Sequence, residues 1–374
     1  MDLPPFLLDH WLAQHEFATP PIRYNLASSA GPKWTHGQLL ELDDGTLRDQ
    51  VRSLPVTYAP PEGTRALREQ VARLHKVDPD WVLITTGASE ALSIVLCLMS
   101  EPGASVALPS PGYPATDVFA KAWGLKLKFY EISRDNGYAV DAASVLRAVD
   151  ASSRLVIVNS PHNPTGSVMS HGEMRRLAQE LRNRGIPLVA DEVFHHVYFG
   201  EAQASAAGLE NCIQIGDFSK SLSLAGLRLG WIIDSDAARR QRMLDARSYF
   251  TISTAPLMEA FGVAALRRQE RLIDRLNAVT RANLAHLERF VAQHPERIGW
   301  VKPQGGTLAF AWLKEESDAR PLCEAFAKAG VLVAPGDCYG MPSYIRIGIG
   351  ASEPADFEAA LGIMSNVMKA RARA

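Results

Sequence analysis

Asp217-Phe218-Ser219-Lys220-Ser221-Leu222-Ser223-Leu224-Ala225-Gly226-Leu227-Arg228-Leu229-Gly230-Trp231 sets a lysine among small hydroxyl residues. Eight positions on, an arginine stands between two glycines. The lysine is an amine that small neighbours allow close to a carbonyl group, and the Gly226-x-Arg228-x-Gly230 turn offers a guanidinium to an anion. Alone, the stretch reads equally well as a surface lysine ahead of an apolar strand. Its meaning depends on what the rest of the chain supplies.

The chain has 374 residues, a length that suits one large α/β unit and a smaller one. A hydrophobic content of 47% with 21% charged residues is that of a globular protein with a sizeable core. A net charge of −2 argues against nucleic acid as a partner, because a phosphate backbone calls for a basic face. Met1-Asp2-Leu3-Pro4-Pro5 has an acid and prolines where a signal peptide carries basic and apolar regions. No apolar run approaches a membrane span of about 20 residues. Cys97, Cys212, Cys323 and Cys338 are scattered without a C-x-x-C pair, which fits reduced thiols in a cytoplasmic protein and gives no support to a metal site.

From about residue 80, short β-branched runs alternate with helical patterns. Strands are expected at 82–86, 105–108, 155–158, 187–190, 213–215 and 231–233, with helices near 89–99, 115–123 and 172–184. Such alternation predicts a mostly parallel sheet covered on both faces, with ligands at the carboxyl ends of its strands. After about Ser253 the pattern changes to a long helical region to about Gln293, then strands near 305–312, 331–333 and 344–347 around a helix at 321–329. The expected division is a large domain over 40–260 and a smaller α+β domain from 1–39 and 261–374.

Four strand-end features bear chemistry. Thr85-Thr86-Gly87-Ala88-Ser89 opens a helix with small residues whose amides can approach an anion. Pro109-Ser110-Pro111-Gly112-Tyr113-Pro114 sets an aromatic ring on a stiff loop, where a planar cofactor could stack. Asn159-Ser160-Pro161-His162-Asn163-Pro164-Thr165-Gly166 restricts the backbone around Asn163, so its amide suits a fixed hydrogen bond; His162 reads as structural. Asp191, directly after an apolar strand, is a carboxylate whose burial costs several kcal/mol unless it is paired, and a protonated pyridine nitrogen would pair it. Asn163, Asp191, Lys220 and Arg228 together match what pyridoxal phosphate needs.

In this order the residues carry a resemblance: PHNPTG at 161–166, Asp191-Glu192, Ser219-Lys220 and the later G-x-R-x-G resemble the class I/II aminotransferases that use pyridoxal phosphate on fold type I. The resemblance implies that Lys220 forms the Schiff base and moves the substrate proton. It implies that Asp191 holds the pyridine N–H, Asn163 the ring oxygen, and Tyr113 stacks on the ring. Arg228, Ser219 and the Ala88 and Ser89 amides would hold the phosphate. Tyr58, in Tyr58-Ala59-Pro60-Pro61-Glu62-Gly63, matches a tyrosine that crosses to the neighbouring subunit's phosphate, which implies a homodimer with shared sites. Arg346 matches the arginine that clamps the substrate α-carboxylate, and the substrates would be an amino acid and a keto acid.

Three departures accompany the resemblance. Phe194 stands where a tyrosine is usual. Asp217 occupies the place of a phosphate-binding hydroxyl, so it is expected to turn away or to meet a cation. Leu26-Ala27-Ser28-Ser29-Ala30-Gly31-Pro32 puts Ser28 and Ser29 where the family has a permissive glycine beside the substrate. Ser28-Ser29, Phe194 and the Tyr249–Pro256 loop are similar to the capreomycidine-synthase-like branch, whose members eliminate water from a hydroxyarginine and cyclise its guanidine. A regulator built on the same fold would need a basic helix-turn-helix ahead of the matched region, and none is legible.

Overall fold

The computed structural model describes residues 4–42 and 45–371; the expectation resting on Met1–Leu3 lies outside them. A seven-stranded sheet organises the larger part of the chain: β1 (Val82–Thr85), β2 (Ser105–Ser110), β3 (Lys126–Glu131), β4 (Ser153–Asn159), β5 (Leu188–Asp191), β6 (Cys212–Asp217) and β7 (Gly230–Ile233). Their order is β1-β7-β6-β5-β4-β2-β3. The pairings β2/β3, β2/β4, β4/β5 and β5/β6 are parallel, and β7 alone runs antiparallel to both its neighbours.

The apolar runs of β1, β5, β6 and β7 are continuous because each of these strands is buried along its length. Side-chain alternation divides the residues between two faces. Ile157, Val189, Ile213 and Ile215 pack with Ala91, Ile94 and Val95 of the Gly87–Leu98 helix. Val156, Val158, Leu188 and Ala190 pack on the other side with Met174, Leu177 and Leu181 of the His171–Asn183 helix. Strand β3 escaped the sequence reading because it is an edge: Lys126, Lys128 and Glu131 leave it mostly open to solvent, and such charges protect an edge from further pairing.

A second sheet, β8 (Ile298–Trp300), β9 (Leu308–Leu313), β10 (Ala334–Pro335) and β11 (Tyr344–Gly348), is antiparallel in the order β10-β11-β9-β8. Its core includes Phe310, Phe326, Ile347 and Phe357, together with Leu8, Trp11, Tyr24 and Leu26 from the beginning of the chain. Leu39, Leu42 and Leu47 instead pack with Leu67, Phe218 and Phe261 beside the large sheet. The helical region after Ser253 is two helices, Pro256–Arg267 and Gln269–Ala292, and a helix over Pro354–Arg371 completes the chain. No described helix is long and apolar enough to cross a membrane.

This topology gathers polar residues at one edge. The parallel strands β4, β5 and β6 end in Asn159, Asp191 and Asp217, and β1 ends in Thr85 just before the helix that begins at Gly87. Because β7 is antiparallel, its first residue Gly230 lies opposite both Thr85 and Asp217. Arg228, two residues earlier, is thereby delivered to the same edge.

Candidate cofactor and substrate site

A cavity of about 420 Å³ opens at that edge. Lys220, Ala88, Ser89, Tyr113, Asn163, Asp191, Ser219, Arg228, Arg346 and Ser29 all line it. Tyr58 does not: it is 75% exposed on the protein surface. His162 is also absent from the wall. Its ring is buried, with Nδ1 at 2.8 Å from Thr165 Oγ1, and burial lowers its pKa to about 3, so it is a neutral structural group.

Lys220 Nζ donates to Ser29 Oγ at 2.7 Å. Burial lowers the lysine's pKa; Asp217 opposes that, while Arg346 and Arg228 reinforce it. The amine is thus driven toward the neutral form that attacks a carbonyl. Asp217 does not turn away but lines the cavity, accepts Ser219 N–H at 3.0 Å, and feels Lys220 as the cation that counters the upward push of burial.

Asp191 is buried, and its carboxylate accepts one hydrogen bond among the described residues, from Val193 N–H at 3.2 Å. Burial pushes its carboxyl up to about 7, and Asp217 and Glu192 add to the push. A buried carboxylate so sparsely satisfied calls for a cationic partner. Its backbone is firmly held: Asp191 O accepts Asn159 Nδ2–H at 3.0 Å, and Asn159 Oδ1 accepts Asn163 N–H at 2.7 Å. Asn163 in turn accepts Arg346 Nη1–H on Oδ1 at 3.4 Å, which leaves its amide nitrogen free to donate.

Gly87 was not singled out from the sequence, yet it shapes the anion cradle. Its φ of +78° is left-handed, and a Cβ there would stand 2.8 Å from Arg228 Nη2. A glycine between a strand and a helix start was the available signal. The first amides of the Gly87–Leu98 helix lack intrahelical acceptors, and Arg228, itself at φ +50°, stands beside them. A helix start, a guanidinium and the space of a missing side chain form a cradle for a phosphate. Together with Asp191, the Asn163 amide and the Tyr113 ring, they fit pyridoxal phosphate.

Arg346 is nearly fully buried on β11. Its Nη2 donates to Ala27 O at 2.5 Å, and its guanidinium lies 5.3 Å from the Tyr339 ring centroid. Its Nε has no hydrogen-bond partner among the described residues. Phe194 packs with Val193, Leu308 and Ala88, so the usual tyrosine's place is an apolar wall. Asp9, Leu12 and Glu16, on the Leu7–Glu16 helix, also reach the cavity; a helix so far from the motifs can only be located in space.

Known proteins agree with this geometry. The family model for aminotransferase class I and II matches residues 55–363. Capreomycidine synthase of Streptomyces vinaceus is 29% identical over 377 residues, covering 99% of this chain and 95% of the relative. The aspartate aminotransferase of Thermococcus kodakarensis is 28% identical over 295 residues, covering 78% of this chain and 76% of the relative. Among solved structures, a PLP-dependent aminotransferase from Streptococcus suis 89-1591 superimposes with a TM-score of 0.91, at 24% identity, over 99% of both chains. That last likeness bears on the fold, which is the fold type I architecture.

Proposed function

This chain belongs to the class I and II aminotransferase family, and we propose that it moves the amino group of an α-amino acid to a keto acid with pyridoxal phosphate held at Lys220. The observation that carries this reading is the meeting of Lys220, Asp191, Asn163, Arg228 and Arg346 in one cavity, each with the partner-seeking chemistry its role requires. When bound, pyridoxal phosphate supplies an electron sink that makes the substrate Cα–H acidic. Lys220 Nζ would take that proton from Cα and hand it on to the cofactor side rather than back to Cα. Arg346 holds the α-carboxylate in a planar fork. Asp191 would keep the ring nitrogen protonated, Asn163 would donate to the ring oxygen, and Tyr113 would support the ring. Ser219, Arg228 and the amides of Ala88 and Ser89 would hold the phosphate, and Ser29 would orient Lys220.

A second reading is a pyridoxal phosphate-dependent eliminating cyclase. It is favoured by the capreomycidine synthase relative, which covers nearly the whole chain, and by Ser29, whose hydroxyl sits on the catalytic amine. Incubation of the loaded enzyme with amino acids and a keto acid acceptor separates the two. Formation of a new keto acid with amination of the acceptor supports transfer. Loss of water from a hydroxylated substrate, with no keto acid at all, supports the cyclase.

The chain divides into a large domain over 40–260 and a smaller one from 1–39 and 261–374 in this reading, with the site between them. A homodimer is supported by two neighbouring segments that Arg247 joins through a bond from Nη1 to Pro61 O. They expose Val56, Tyr58, Tyr249, Ile252 and Leu257, an apolar surface suited to a second copy. Tyr58 would then act in the partner's site, and sedimentation tests the assembly. Four free thiols support a reducing, cytoplasmic location.

A further inference from the structure

Glu192 is a second buried carboxylate directly after Asp191, and alternation along an extended chain sends the two side chains to opposite sides. Asp191 lines the cavity and Glu192 does not. The backbone fixes that division. Glu192 N–H donates to Ile215 O at 2.9 Å, which carries the ladder between β5 and β6 one residue past Asp191.

Glu192 is held as an anion would be. Its Oε2 accepts Ser205 Oγ–H at 2.5 Å, and its Oε1 accepts Ala206 N–H at 2.7 Å. The Gln214 side chain favours the charge as well. Ser205 gives its one hydrogen to Glu192, so its oxygen accepts from His75 Nδ1 at 3.0 Å and from Ala207 N–H at 3.1 Å. Each oxygen of Glu192 thus has a donor, whereas the Asp191 carboxylate has one in all.

The groups packed around Glu192 do little to cancel its charge. Burial keeps His75, at the end of the Arg65–His75 helix, well below its ordinary value, and lowers His195 to about 4 and His196 to about 3. Burial pushes the Tyr198 hydroxyl and the Cys212 thiol up. All five are neutral near pH 7, and His171 alone of the groups named here draws Glu192 toward the anion. The field of an ionised Glu192 therefore reaches Asp191, which it pushes toward protonation.

We propose that Glu192 is a positioning residue for the cofactor's charge: standing behind Asp191, it makes a second anion at the site of the pyridine nitrogen, so that the ring is bound as a cation. The proposal rests on pyridoxal phosphate being held at Lys220. Ser205 and His75 keep the Glu192 carboxylate in place and favour its ionised form, without lining the cavity themselves. An ionised Glu192 repels an unpaired Asp191 and attracts a protonated ring, so both effects favour the cationic cofactor. As pH falls and Glu192 takes up a proton, the contribution disappears.

The test strips the full-length enzyme of cofactor and titrates it calorimetrically with pyridoxal phosphate and with the 1-deaza analogue, in which carbon replaces the ring nitrogen. Glu192→Gln keeps the shape of the side chain and removes its charge. It should weaken pyridoxal phosphate about tenfold at about pH 8. At about pH 5.5 the change should stay within about twofold, because burial raises Glu192 to about 7 and it is already protonated there. The deaza analogue, which cannot become a cation at that position, should change less than about twofold at either pH. Ser205→Ala is the second variant if Glu192→Gln lowers the thermal midpoint. It removes a donor to the ionised form, so the pH at which pyridoxal phosphate binding tightens should rise by about half a unit or more. An equal loss for both compounds, or a loss of the same size at both pH values, marks a merely structural residue and overturns the proposal. Keto acid formation by the wild type is measured separately. The expected binding pattern without keto acid supports the proposal and sinks transamination alone. Keto acid formed while Glu192→Gln treats the two compounds alike sinks the proposal and leaves transamination standing.

Discussion

Lys220 Nζ and Ser29 Oγ, 191 residues apart in sequence, are joined by a hydrogen bond of 2.7 Å. Ser29 is itself anchored, since its carbonyl accepts Thr307 Oγ1–H at 2.8 Å. Ser29 therefore holds the Lys220 amine, the proposed catalytic group, in position. Ser29→Ala should retain the cofactor on Lys220 but lower kcat about threefold to tenfold, the cost of one hydrogen bond. Steady-state kinetics beside a cofactor spectrum would check this, and an unchanged kcat would remove Ser29 from the account.

Arg346 grips Ala27 O and Asn163 Oδ1 at once, so the group that would hold the substrate also orients the amide that would hold the ring oxygen. Lysine cannot keep that fork. Arg346→Lys should raise KM and reduce kcat/KM by about 100-fold. Asn163, released from one partner, should also shift the absorbance maximum of the bound cofactor. A KM effect with no spectral change would mean that the two grips are independent.

Gly87 has a φ of +78° and lies so close to Arg228 that a Cβ would come within 2.8 Å of Nη2. Gly87→Ala combines left-handed strain of about 1 kcal/mol with displacement of the guanidinium. Pyridoxal phosphate affinity should fall about tenfold or more, measured by equilibrium titration. Wild-type affinity in that variant would show that the cradle does not hold the phosphate.

Asp191 carries the pH dependence. Its folded-state pKa of about 7 lies above the ordinary carboxylate value, because burial penalises the charge. The stability it contributes without cofactor is full at low pH and is lost as pH rises through about 7, on the order of 4 kcal/mol. Asp217, also raised by burial, acts in the same direction. A cationic ring nitrogen would relieve the ionised Asp191, so added pyridoxal phosphate should raise the melting temperature more at about pH 8 than at about pH 5.5. Asp191→Asn should shrink that difference. The same pH response in both proteins would contradict the pairing.

Much of this was legible in the chain itself, and the limits have physical causes. The apolar runs of β1, β4, β5 and β6 announced themselves because these strands are covered on both faces, and their last residues pointed to the site. The direction of β7 was not legible, since an isolated Trp231-Ile232-Ile233 reads the same either way; yet that direction is what delivers Arg228. Strand β3 was lost to its edge charges. Asp217 was expected to turn away or find a cation, and only the second alternative describes it. Asp9 and Glu16 could not be placed because nothing local ties the first helix to the sheet. Trp11, Phe6 and the smaller core do so through contacts hundreds of residues distant.

The central claim is that Lys220 is the amine that carries the cofactor. Borohydride reduction of the loaded enzyme, followed by peptide mass spectrometry, tests it most directly. The account predicts the mass of reduced pyridoxal phosphate on the peptide containing Lys220 and on no other. An adduct on a different lysine, with Lys220 unmodified, would contradict it.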